Sequence, residues 1–194
     1  MANTSSPWTT LSCRVAYESG WLKLEDRTVR DATGRERPYG VVRFKHVGLC
    51  VLPIDRAGFT YLVGQHRYAA DYYSWELPAG GAEPGDGLLE SAKRELREEV
   101  GLAAEHWIAL LDMIPSGSLT DERQVGYLAW DFEEVDREPD PQEVLTVRRL
   151  PFRTALEMAL AGDIRHAASI ALLATAKIKA DRQELPPELI QRLR

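Results

Sequence analysis

Apolar and polar residues alternate over residues 21–31 and again over 37–44, on either side of the turn-forming run Asp31-Ala32-Thr33-Gly34, which predicts an N-terminal β-hairpin. Two apolar stretches rich in β-branched residues, 46–54 and 60–65, flank Asp55-Arg56-Ala57-Gly58 and predict a second hairpin whose apolar content suits a central position. Residues 78–85 hold too much glycine and proline for a helix or an inner strand, so a loop is expected there. The period then changes. Leu89, Ala92, Leu96 and Val100 recur at helical spacing, with Asp86 available as N-cap and Gly101 as a C-terminal stop. Further strands are predicted over 108–113, 124–132 and 144–150. Two helices follow over 151–161 and 166–180, and the proline-rich tail around Pro186 and Pro187 is expected to be a short terminal segment. Strands before and after one central helix, with helices at the end, describe an α/β fold: an α/β/α sandwich around a mixed sheet. Residues 1–45 would form an N-terminal strand extension and 46–194 the main domain.

Composition narrows the function classes. A chain of 194 residues with 44% hydrophobic content is long enough to bury a core. Its formal net charge of -6 supplies no general basic field, which argues against nucleic acid as a partner while leaving room for a small phosphorylated ligand in a local cationic or metal-containing pocket. Cys13 and Cys50 make neither a disulfide framework nor a zinc spacing, and Cys50 lies in an apolar run that suits a buried thiol. No run approaches a membrane span and the first residues lack a signal-like pattern, so a cytoplasmic location without a membrane partner is expected.

The central helix carries the chemistry. Glu95 and Glu99, four residues apart, project over one face with Glu98 beside them. The three carboxylates lie toward the negative end of the helix dipole, so each suffers like-charge repulsion and an unfavourable end effect that a divalent cation would reverse. A solvated helix face laced by the pairs Glu90 with Arg94 and Arg94 with Glu98 is the competing reading. The preceding turn at Ala79-Gly80-Gly81 favours the metal, because it can bring hard carbonyl oxygens to the same carboxylates.

Gly80, Asp86 and the run Arg94-Glu95-Leu96-Arg97-Glu98-Glu99-Val100-Gly101-Leu102 resemble the Nudix box, G-x5-E-x7-R-E-U-x-E-E-x-G-U. Asp86 stands where the pattern has Glu; every other defined position matches. The resemblance implies Mg2+, with Mn2+ able to substitute, held by Glu95, Glu98, Glu99 and the carbonyl of Ala79. It also implies that Arg94 positions a carboxylate and that Glu98 and Glu99 serve the hydrolysis of a diphosphate by water attacking phosphorus in line.

Beyond the box the chain is similar to the ADP-ribose pyrophosphatase and nucleoside-diphosphate-sugar hydrolase branch. That resemblance implies a phosphate contact at Arg67, a catalytic or metal-binding Glu143 with Glu122 as its rival, and a base stacked by Trp21 and Tyr39 from two subunits of a homodimer. The residues alone leave other readings open: an ion pair for Arg67, a solvated acidic loop around Glu143, and packing roles for the two aromatic rings. The substrate implied is a small-molecule nucleotide sugar, cleaved to a nucleoside monophosphate and a sugar phosphate. The alternatives are another nucleotide, such as GDP-mannose, a dinucleoside polyphosphate or a damaged nucleotide, and a nucleotide-sensing module without turnover.

Overall fold

A computed structural model describes residues 5–137 and 144–194. The chain divides into two units, Met1–His46 with Ser116–Glu122, and Val47–Pro115 with Arg123–Arg194.

The first unit is an antiparallel sheet of β1 (Thr9–Glu18), β2 (Leu22–Arg30) and β3 (Glu36–Phe44), with β2 in the middle. The expected hairpin is therefore one strand short. β1 escapes sequence reading because all ten of its residues are exposed, so no buried face marks its period. Asp31 closes the β2–β3 turn by accepting hydrogen bonds from the Thr33 N–H and hydroxyl at 2.8 and 2.6 Å, while Gly34 takes the left-handed conformation the turn needs. The segment Ser116–Glu122 joins this sheet. Val42 donates its N–H to the Leu119 carbonyl at 2.9 Å, and Asp121 accepts from the Phe44 N–H at 2.9 Å and from Arg43 at 3.0 Å.

In the second unit the strands β7 (Ala79–Ala82), β4 (Val47–Ile54), β9 (Gln124–Glu134) and β8 (Leu102–Met113) form one sheet in that order. β4 and β9 run parallel and the other pairs antiparallel, which makes the sheet mixed. A second sheet orders β10 (Thr146–Pro151), β5 (Phe59–Arg67) and β6 (Tyr72–Glu76). Alternation along β4 and β9 builds two cores. Leu49, Val51, Val125, Tyr127 and Ala129 pack with Ala92 and Leu96 of α1 (Leu88–Val100). Cys50, Leu52, Ile54, Leu128 and Trp130 face α2 (Phe152–Ala161), α3 (Ala167–Asp181) and α4 (Pro187–Arg192). Helices on both faces of a mixed sheet make the α/β/α sandwich.

Several local expectations are corrected. β4 and β5 do not pair as a hairpin: both edges of β4 are occupied, by β7 and β9, so the Asp55–Phe59 turn delivers β5 to the other sheet. The expected glycine-rich loop contains the edge strand β7, which small residues form without crowding α1. Gly87, not Asp86, is the N-cap of α1, and no side chain caps it. β8 starts at Leu102, ahead of the predicted 108, and the tail folds into α4 because Leu189 and Leu193 are fully buried. Among the described residues no helix is long and apolar enough to cross a membrane.

Candidate active site

α1 forms where the sequence places its apolar stripe, and its buried face fixes which carboxylates turn inward. Glu99 is 2% exposed and its Oε2 accepts the Ala79 N–H at 2.9 Å, tying the helix end to the start of β7. Glu95 is largely buried and lies against Gly80: a Cβ at that glycine would stand 2.1 Å from the Glu95 carboxylate carbon. Only a residue without a side chain allows this approach. Arg94 joins the group from the exposed side, donating to Glu95 Oε1 and Glu98 Oε2, each at 2.9 Å, and to the Gly81 carbonyl at 3.3 Å. Partial burial disfavours the Arg94 cation, but the charges of Glu95 and Glu98 outweigh it and hold its pKa above the ordinary guanidinium value.

Arg94, Glu95, Glu98, Glu99 and Ala79 are thus brought together on one helix and one edge strand. Among the described residues no three His, Cys, Asp or Glu side chains form a ready-made metal cage. The donor set still suits a hard cation, because carboxylate oxygens and backbone carbonyls are the ligands magnesium takes, and the side-chain-free Gly80 lets the β7 backbone come directly against the Glu95 carboxylate.

Arg67, at the end of β5, is held by Glu76 of the neighbouring strand: Nε and Nη2 donate to the two carboxylate oxygens at 2.8 and 2.6 Å. Glu76 is 2% exposed. Burial penalises its charged form, but the Arg67 fork and the His166 ring outweigh that penalty and keep the carboxyl below the ordinary glutamate range. His166, the N-cap residue of α3, places Nδ1 3.4 Å from Glu76 Oε2 and 2.9 Å from the Ser169 hydroxyl, which accepts the Leu77 N–H at 2.9 Å. Cys50 lies within electrostatic reach of both acidic groups; burial first, then Glu76 and Glu99, push its thiol far up, so it stays protonated and inert. Sequence reasoning missed Glu76, His166 and Ser169. A carboxylate inside Trp75-Glu76-Leu77, ahead of a proline, was a usable signal for Glu76, whereas nothing local marks the other two.

The remaining predicted residues stand elsewhere. Trp21 is 67% exposed in the turn before β2 and lies against His46, ring centroids 4.8 Å apart. Tyr39 pairs across the sheet with Arg27, meets Trp8 edge-on and donates its hydroxyl to the Ser118 carbonyl. Because Trp21 directly precedes the Leu22–Phe44 pair, five or six strand positions separate it from Tyr39, about 17–20 Å at strand rise. Glu122 follows Asp121 in the loop segment of the N-terminal unit, its N–H donating to the Thr120 hydroxyl at 3.4 Å. Glu143 lies outside the described residues.

Residues 44–173 match the model of the NUDIX domain. The chain is 35% identical over 131 residues to an ADP-ribose pyrophosphatase of Mycobacterium tuberculosis, covering 66% of this chain and 63% of that protein, so it spans just under two thirds of that relative's length. It is 26% identical over 172 residues to a CMP-5'-(N-acetyl-N-hydroxy-3-aminopropyl)phosphonate hydrolase of Streptomyces rubellomurinus, covering 88% and 83%. A solved crystal structure of an ADP compounds hydrolase superposes with a TM-score of 0.83 over 94% of this chain and 98% of its own, at 21% identity, which speaks for the fold.

Proposed function

The chain belongs to the NUDIX family, and from that membership we propose that it is a metal-dependent pyrophosphatase that hydrolyses ADP-ribose or a related nucleoside diphosphate sugar. The observation that carries the reading is the Gly80 backbone seated against Glu95, with Glu99 pinned to Ala79 and Arg94 spanning Glu95 and Glu98. Water would add to one phosphorus as the P–O–P bridge breaks, giving a nucleoside monophosphate and a sugar phosphate with release of a proton. A divalent cation, Mg2+ or Mn2+, held by Glu95, Glu98, Glu99 and the Ala79 carbonyl would supply charge for the diphosphate and acidify the attacking water. Arg94 keeps two of those carboxylates in place, and Arg67 offers a guanidinium suited to a phosphate oxygen. The proton acceptor is assigned to Glu143, with Glu122 as the rival to be measured beside it.

The N-terminal sheet supports a homodimer. Leu11, Val15 and Tyr17 on β1 are exposed, and such a row of apolar side chains on an edge strand invites a partner. Trp21 and Tyr39 of one chain are too far apart to sandwich one base, so a shared stack needs one ring from each of two copies. The protein is read as cytoplasmic, acting on small nucleotides. The similarity to a CMP-phosphonate hydrolase favours one second reading, a cytidine nucleotide as substrate.

The test is phosphate-linked product release with Mg2+ across ADP-ribose, GDP-mannose, dinucleoside polyphosphates and CMP-linked phosphonates, run on the wild type and on Glu99→Gln. ADP-ribose should lead the panel, and Glu99→Gln, which removes one anionic ligand, should lower turnover by roughly two orders of magnitude or more while the chain stays folded. A folded Glu99→Gln protein with normal turnover would refute the metal assignment, preference for the CMP compound would move the substrate, and no turnover on any compound would leave a nucleotide-binding module.

A further inference from the structure

The interior of the second unit holds a polar chain that the helix carboxylates do not use. Glu76 Oε1 receives Arg67 Nε at 2.8 Å, and Oε2 receives Nη2 at 2.6 Å while facing His166 Nδ1 at 3.4 Å. Ser169, fully buried, links His166 at 2.9 Å to the Leu77 N–H at 2.9 Å. The chain closes on itself, since Leu77 follows Glu76 in sequence.

A glutamate carboxylate turns freely about its last torsion, where the energy wells are broad. A two-bond arginine–carboxylate fork is planar, so any turn of the Glu76 carboxylate swings the Arg67 guanidinium with it. The His166 ring, on the Oε2 side, opposes that turn. The ring is itself set by Ser169, whose hydroxyl is anchored to the backbone next to Glu76 and carries one proton and two lone pairs to satisfy its neighbours. Both residues come from the first turn of α3, a helix packed against β4, β8 and β9, so its start stands as a rigid brace beside Glu76 and Leu77.

We infer that His166 and Ser169 are positioning residues that lock the Glu76 carboxylate and, through it, the Arg67 guanidinium presented to the diphosphate; this rests on the reading of Arg67 as a phosphate ligand. A brace of this kind acts on orientation, and a misplacement of about 1 Å at a group that contacts the reacting phosphates costs on the order of a hundredfold in rate.

The experiment uses the full chain with ADP-ribose and Mg2+, the variants His166→Ala, His166→Asn and Ser169→Ala, and the paired background Arg67→Met with Glu76→Gln, which removes both charges while keeping similar shapes. In the wild-type background His166→Ala should lower kcat/KM by about ten- to a hundredfold, with His166→Asn restoring part of it because its amide replaces the ring nitrogen. In the paired background the same substitution should add no further loss, because the group it positions is already gone. A second readout needs no turnover: the 15N NMR signal of the Arg67 Nε–H should shift and exchange faster with solvent in His166→Ala and in Ser169→Ala. Losses that multiply in the paired background, or an Arg67 Nε–H signal unchanged in a folded His166 variant, would overturn the inference. If Ser169→Ala does not fold, the two His166 variants decide the question. If the paired background keeps full turnover, it is the phosphate role of Arg67 that fails, and the NMR signal still reports whether His166 orients the pair.

Discussion

Replacing Gly80 by alanine separates the site from the stability of the fold. Gly80 lies in the edge strand β7 opposite Leu49, outside the left-handed region, so its backbone accepts a Cβ. The new methyl would stand 2.1 Å from the Glu95 carboxylate carbon and 2.3 and 2.4 Å from its oxygens, where ordinary contact begins at 3.4 Å; the carboxylate must therefore retreat by about 1.3 Å, the difference between 3.4 and 2.1. The obstacle is the far end of a flexible side chain and not backbone, so the retreat is cheap. An off-rotamer Glu95 costs about 0.5–1.5 kcal/mol, and the weakened bond to half-exposed Arg94 up to about 1 kcal/mol. Against these, alanine restricts the unfolded chain and returns about 0.4–1 kcal/mol. The net change is a destabilisation of about 0–2 kcal/mol, which lowers Tm by no more than about 8 °C in a chain of this size. If Glu95 holds the metal as proposed, catalysis should suffer far more, because a displacement of this size at such a group costs about a hundredfold, and the Mg2+ concentration giving half-maximal rate should rise. Thermal melts and product release under Mg2+ titration on the same preparation check both halves. Wild-type turnover and wild-type metal dependence in folded Gly80→Ala would refute the assignment of Glu95 beside this glycine as a working part of the site.

Three further outcomes follow from named contacts. Glu76, held below its ordinary value of 4.5, contributes stability that is fully present above that pH and is lost as pH falls through its lower folded value; Glu76→Gln should flatten the acid limb of a Tm-against-pH curve, and parallel curves would contradict the ion-pair account. Gly58 has φ +79°, and a Cβ there would lie 2.6 Å from the Arg192 carbonyl oxygen, so Gly58→Ala should lose about 2–4 kcal/mol in urea unfolding from combined backbone strain and a clash that cannot swing away. Trp21, two-thirds exposed, contributes little to the core, so Trp21→Ala should leave Tm near wild type and raise KM for ADP-ribose more than it lowers kcat; full activity in a protein that sediments as a monomer would rule out a shared base site.

What the sequence determined by itself is local and periodic. The helix carrying Arg94, Glu95, Glu98 and Glu99 was legible because a 3.6-residue period and a terminal glycine are properties of neighbouring residues, and the spacing of its carboxylates on one face follows from helix geometry alone. The loop–helix motif likewise pointed to the family that residues 44–173 match. Pairing was different. That β4 takes β9 and β7 as neighbours while β5 joins β6 and β10 depends on contacts far apart in the chain, and the short turn after Ile54 is equally compatible with either outcome. β1 went unseen because its row of apolar side chains is exposed within this chain and leaves no buried face to read. The Arg67–Glu76–His166–Ser169 chain joins residues up to 102 positions apart, from Arg67 to Ser169, and no periodicity encodes such a meeting. Only the docking of α3 against β4, β8 and β9 decides that a histidine and a serine in an ordinary helix start come to brace a buried carboxylate, because burial favours a partner for a polar group wherever the fold provides one.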